Sequence, residues 1–160
     1  MSFKIRKGKI TDMPSVLKLI QELAHFEKEP DAVIVTVEDL ENDGFGETPL
    51  FKTFVAELDN EIVGMALFYP RYSTWKGPTI HLEDLIVTKS KRSLNIGSAL
   101  YNKVIEFGYE KGVKRIEWVV LDWNTPAIEF YKKTGAIVLD DWNTVQMNEE
   151  GIKSYLETLK

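Results

Sequence analysis

The chain has 160 residues, enough to bury one core and too few for several domains of ordinary size. Its 44% hydrophobic and 28% charged content is that of an ordinary globular protein, which argues against disorder and fibrous structure. With no cysteine present, disulfides, thiolate metal sites and cysteine nucleophiles are excluded. No apolar run approaches the roughly 20 residues that span a bilayer. The opening Met1–Lys7 alternates charged with apolar residues and lacks a signal-peptide core. The expectation is therefore a cytoplasmic protein with no membrane partner. A net charge of −5 argues against a nucleic-acid partner and, through steering, favours small cationic ligands.

In chain order, Phe3 and Ile5 alternate with Lys4 and Arg6, which predicts a short strand. Asp12 before Met13-Pro14 reads as a helix N-cap, and Val16, Leu17, Leu19, Ile20, Leu23 and Ala24 carry that helix to about Phe26. Thr36, with Glu38 and Asp39, opens a second short helix that ends at Gly44-Phe45-Gly46. Strands at 51–58 and 61–72 form a hairpin around Asp59-Asn60, and 79–87 is a third strand. A helix at 98–111 closes on Gly112, followed by a strand at 115–121 and a helix from Thr125-Pro126 to Thr134, closed by Gly135. Strands at 136–139 and 145–148 and a helix around 152–159 complete the prediction. Strand–helix–strand through 79–121 is a crossover, so that part of the sheet is parallel and the hairpins make the rest antiparallel. The class is mixed α/β around one twisted sheet, in a single domain.

Three segments carry chemistry. The apolar strand His81-Leu82-Glu83-Asp84-Leu85-Ile86-Val87 is interrupted by adjacent carboxylates, costly to bury unpaired. One of them pointing to solvent is the bland alternative. Beyond it a polar stretch with Lys89, Lys91 and Arg92 runs into Ile96-Gly97-Ser98, where a helix starts. Free N–H groups and the helix dipole there suit an anion, and small residues let its backbone approach phosphates. An ordinary strand–helix turn is the alternative, and neither a Walker A loop nor a G-x-G-x-x-G fingerprint is present. The third segment runs from Asp122 to Ala136. Asn124 or Thr125 caps its helix, with Pro126 in the first turn, and Tyr131 lies on the face of Ala127 and Ile128. Tyr131 is either a packed aromatic or a proton donor. His25 and His81 are too few and too far apart for a metal site and read as packing or pocket residues.

Together these pieces resemble the GNAT acetyltransferase superfamily, and most closely its spermidine/spermine N-acetyltransferase family, which includes diamine and thialysine acetyltransferases. The resemblance runs in the same order over nearly the whole chain: the segment 40–57 with its D-G-F-G-E loop, Leu82-Glu83-Asp84, Ile96-Gly97-Ser98, Trp123-Asn124, Phe130-Tyr131-Lys132 and Gly135-Ala136. It implies a mixed antiparallel and parallel twisted sheet with flanking helices, its central strands splayed around acetyl-CoA. It further implies that Leu85, Ile86 and Val87 offer backbone hydrogen bonds to the pantetheine arm. Arg92, Ser93, Leu94, Asn95, Ile96, Gly97 and Ser98 would hold the pyrophosphate, and Asn124, Thr125, Pro126 and Ala127 the cofactor's other side. Tyr131 matches the family's general acid, and Glu83 the residue that binds the amine and helps deprotonate it. Phe26, Glu27, Trp75, Asp84, Glu117, Trp118 and Val119 match positions around the polyamine site.

The implied reaction is direct acetyl transfer from acetyl-CoA to a primary amine of a polyamine, a diamine or a thialysine-like amino acid, without a metal. A homodimer is implied as well. Two features depart from the family pattern: Asn95 replaces the first glycine of R/Q-x-x-G-x-G/A, and Thr134 replaces a basic residue. Asn is the non-glycine residue most tolerant of positive φ, so the loop is expected to survive. The competing readings are acetylation of a protein, peptide or antibiotic amine, and a non-catalytic acyl-CoA-binding module.

Overall fold

The computed structural model describes residues 2–159 and divides into two compact units, one ending at Val119 and the other beginning at Val120. The first unit holds a five-stranded sheet in sequential order: β1 (Lys4–Lys7), β2 (Lys52–Leu58), β3 (Glu61–Ser73), β4 (Gly77–Val87) and β5 (Ile116–Glu117). The first four strands pair antiparallel and β4 pairs β5 in parallel, as the crossover predicted. At the β2–β3 turn Asp59 and Asn60 take φ of 51° and 64°, the left-handed pair that a two-residue hairpin needs.

Alternation along the strands sorts side chains onto two faces. Phe54, Ala56 and Leu58 of β2 join Ala66, Phe68, Ile80 and Leu82 on one face, covered by α3 (Ile96–Glu110) through Ile96, Leu100 and Val104. Phe54, Phe68 and Phe107 stack there with centroids 5.1–6.1 Å apart, each pair worth about 0.5–1.5 kcal/mol beyond its burial. Val55, Met65, Leu67 and Ile86 face the other way, against α1 (Met13–Phe26) and α2 (Val37–Phe45) through Met13, Val16, Leu19 and Leu40. α3 lies close on the sheet because Gly64 is bare: a Cβ there would stand 2.9 Å from the Ile86 carbonyl and 3.2 Å from Leu100 Cδ1.

Thr36 caps α2 as expected, its hydroxyl accepting from Asp39 N while Asp39 accepts from Thr36 N. Asp12 does not cap α1. Its carboxylate instead accepts two hydrogen bonds from Arg6 and one from Lys9 N, because a guanidinium fork and a backbone donor outbid one helix-end amide.

The second unit holds α4 (Thr125–Lys133) and α5 (Glu149–Glu157). Two strand predictions fail and a third is shortened. The strand at 115–121 shortens to Ile116–Glu117, and no strand forms at 136–139 or 145–148. These segments have strand-forming side chains, but a strand is a pairing, and none of the ladders among the described residues reaches them. The last helix begins at Glu149, three residues before the expected Ile152, because the Asn148 side chain accepts from Gly151 N at 2.8 Å.

Candidate active site

The two carboxylates of β4 sit at a bulge. Asp84 faces Leu67 and Leu82 faces Phe68, so Glu83 has no partner across the ladder. The extra residue shifts the alternation: Ile80 and Leu82 reach the α3 face before it, Leu85 and Val87 after it. Glu83 is exposed and Asp84 half-buried. Burial first, and then Glu83 and Glu27, push the Asp84 carboxyl up to about 7. Glu27, just past the end of α1, is raised by partial burial and then by Glu83. Asp84 and Glu27 thus hold their protons more tightly beside Glu83, and a cation entering among them offsets the like-charge repulsion.

Beside this cluster a polar row crosses three strands in register. Tyr69 of β3 pairs with His81 of β4, and His81 with Glu117 of β5. The Tyr69 hydroxyl donates to Glu83 Oε2 at 2.7 Å, and burial together with that bond raises its pKa to about 12. His81 Nε2 stands 3.4 Å from the same Glu83 oxygen, and the His81 ring lies 5.3 Å from that of Tyr69. Glu117 is paired with Arg71 and with Arg115 at 3.4 Å.

The ladder to β5 ends at His81 and Glu117, so Leu82–Val87 keep β3 on one edge and have no strand on the other among the described residues. With no strand paired there, that edge of Leu85–Val87 can take an extended ligand as an added strand. Glu22 of α1 then holds the following turn, accepting from Thr88 Oγ1 and Lys89 N, both at 2.8 Å. Arg92 Nε donates to the Val87 carbonyl at 3.0 Å, and its guanidinium lies over Phe26 at 5.6 Å. Ser93 and Asn95 take φ of 73° and 60°, so Asn95 adopts the left-handed conformation that its glycine-like position requires.

α3 starts at once, with no acidic side chain in its first turn. A Cβ on Gly97 would meet only Val87 Cγ2, at an ordinary 3.7 Å. The protein's own packing does not demand that glycine, and the room beside the helix-end amides of Gly97 and Ser98 fits a phosphate held close to backbone.

In the second unit the Asn124 side chain caps α4 at Ala127 N, and Thr125 and Pro126 fill its first turn. Tyr131 is half-buried, its ring 5.5 Å from that of Phe130, and its carbonyl accepts from Thr134 Oγ1 and Ala136 N.

Of the expected substrate residues, Glu27, Glu83 and Asp84 are brought together, and Glu117 joins them through His81. Trp75 stands at the β3–β4 turn, 77% exposed, and Val119 is 73% exposed. Trp118 turns to the α3 face and packs edge-on to Tyr101 at 5.6 Å. Sequence reasoning did not single out Tyr69, Arg71, Arg115 or Glu22. Tyr69-x-Arg71 and His81-x-Glu83 are same-face pairs in facing strands, a signal that becomes legible only once the turn at 73–77 sets the register. No cluster among the described residues has the side chains to hold a metal ion.

A model of the acetyltransferase (GNAT) family matches residues 15–136. The thialysine N-epsilon-acetyltransferase of Bos taurus is 39% identical over 93% of this chain and 94% of its own. The human spermidine/spermine N(1)-acetyltransferase-like protein 1 is 33% identical over 92% of this chain and 23% of its own. Among solved structures, an integron cassette protein from the mobile metagenome of V. cholerae shares the fold with a TM-score of 0.80, at 21% identity over 98% of this chain and 99% of its own. The chain belongs to the GNAT acetyltransferase family and is an N-acetyltransferase.

Proposed function

We propose that the protein transfers the acetyl group of acetyl-CoA directly to a primary amine of a small cationic substrate, a polyamine, a diamine or a thialysine-like amino acid. The observation that carries this reading is the convergence of Glu27, Glu83 and Asp84 at the β4 bulge. The names of the relatives support it. An alkylammonium with a pKa near ~10 is no nucleophile until it loses a proton. The carboxylates bind the cation, and Glu83 takes its proton, directly or through water. Acetyl-CoA supplies the activated acyl group. Leu85–Val87 hold the pantetheine arm, Arg92–Ser98 the pyrophosphate, and Asn124–Ala127 the cofactor's other side. Tyr131 protonates the departing thiolate.

The family match crosses from the first unit into the second, which supports one catalytic domain over residues 1–160. We further read the protein as a homodimer. Ile137, Leu139, Trp142, Val145 and Met147, with Ile152, Tyr155 and Leu156 of α5, leave large apolar side chains exposed on the second unit, and a second copy would cover them. Thiol release from acetyl-CoA over a panel of thialysine, ornithine, diamines, polyamines and a lysine peptide tests the function. Release that depends on the free amines is expected, and release with the peptide alone, or with none, overturns the reading.

A further inference from the structure

The row from Tyr69 to Glu117 has a member that the mechanism above does not use. His81 is nearly enclosed, with its side chain 13% exposed between two carboxylates. Nε2 faces Glu83 at 3.4 Å, and Nδ1 is buried, has no hydrogen-bond partner among the described residues and lies 4.0 Å from Glu117. A ring held by strand pairing on both sides, with one nitrogen at the amine-binding carboxylate and the other toward a second carboxylate, is built to hold a proton. We propose that His81 is a positioning residue that takes from Glu83 the proton Glu83 has drawn from the substrate amine, while Glu117 stabilises the imidazolium that results. This rests on the reading of Glu83 given above.

The step balances without a co-reactant. The ammonium N–H bond breaks as a Glu83 O–H bond forms; that bond breaks in turn as Nε2–H forms, and the proton passes to water before the next turnover. Groups that face the ring are Tyr69 from β3, Glu83 on β4 and Glu117 from β5; Arg71 and Arg115 engage Glu117, and Asp84 and Glu27 lie near Glu83. The two arginines hold the Glu117 carboxylate in place. Only a neutral imidazole can accept the proton, so protonating the ring in advance stops the relay.

The test pairs the pH dependence of kcat, with acetyl-CoA and thialysine or spermidine, with NMR titration of the imidazoles. The chain has two histidines, so His81→Gln assigns the signal at once. Three results are expected. His81→Gln lowers kcat about tenfold, the low end of what a positioned acid–base group supplies, and removes the acidic limb. It leaves the KM for acetyl-CoA within about twofold, since the ring touches no phosphate-loop residue. Glu117→Gln moves the acidic limb and the His81 NMR titration together to lower pH, because the imidazolium loses its stabilising charge.

A limb that persists in His81→Gln belongs to Asp84 and overturns the proposal, as does a His81 titration indifferent to Glu117→Gln. A wild-type enzyme that turns over no amine defeats the functional reading and the relay with it. An active enzyme with unchanged kcat and pH profile in His81→Gln defeats the relay alone.

Discussion

At Asp84 the protein carries a carboxyl that titrates at about 7 where an ordinary one titrates at 3.8. Between those values the folded chain holds a proton that the unfolded chain has lost, so stability rises as pH falls from about 7 toward 4, and the burial penalty stands in full above 7. Asp84→Asn is therefore expected to raise Tm at pH 8 by removing that penalty and to leave it unchanged at pH 4, in paired thermal melts. The same charge logic applies to the ligand: a cationic amine lowers the Asp84 pKa, so binding near pH 6 releases protons, measurable by calorimetry in buffers of different ionisation enthalpy. Tyr131→Phe is expected to reduce kcat about tenfold while the Kd for acetyl-CoA stays within about twofold, a modest loss because a thiolate leaves without strong acid help. Unchanged turnover would remove its acid role. Glu83 and Asp84 stood out in the sequence as two adjacent carboxylates in an apolar strand. Which one is exposed was not legible there, because the bulge that separates them arises from pairing with β3.

The turn between β4 and α3 owes its shape to a neighbouring helix. Glu22 of α1 holds Thr88 and Lys89, and Asn95 closes the turn in the left-handed region. Glu22→Ala should raise the KM for acetyl-CoA several-fold with little change in kcat. Asn95→Val should do worse, since a β-branched residue at φ 60° costs about 1–2 kcal/mol, whereas Asn95→Gly should bind the cofactor as wild type does. Initial-rate kinetics with acetyl-CoA as the varied substrate separates these outcomes. At the other end of the sheet, Arg6 fastens β1 to the turn before α1 through Asp12, and to β2 through Glu57. Asp12→Asn is expected to cost about 1–3 kcal/mol in urea unfolding. The Arg6 guanidinium holds the Asp12 carboxyl below its ordinary 3.8, so that stabilisation is present at neutral pH and is lost as pH falls below about 3.8. The positive φ at Asn95 could be anticipated from the residue type. The partnership of Asp12 with Arg6 rather than with its own helix end could not, because the two lie on different elements whose approach no local pattern records.

For the whole molecule, the exposed apolar side chains of the second unit predict a mass by light scattering of twice the 18.4 kDa chain. Leu156→Glu with Tyr155→Glu should shift the protein toward the monomer. A dimer unmoved by both changes would place the interface elsewhere. Local periodicity was enough to determine the order of the elements up to α4, the hairpin at Asp59-Asn60 and the parallel crossover, since caps, turns and alternation are short-range properties of side chains; the family was legible through the resemblance of whole motifs such as the D-G-F-G-E loop. Tertiary structure alone decided where β5 ends, that 136–148 form no strand here, and how Tyr69, His81 and Glu117 align across three strands. Those are matters of pairing, and a strand's partner and register are settled by residues distant in the chain.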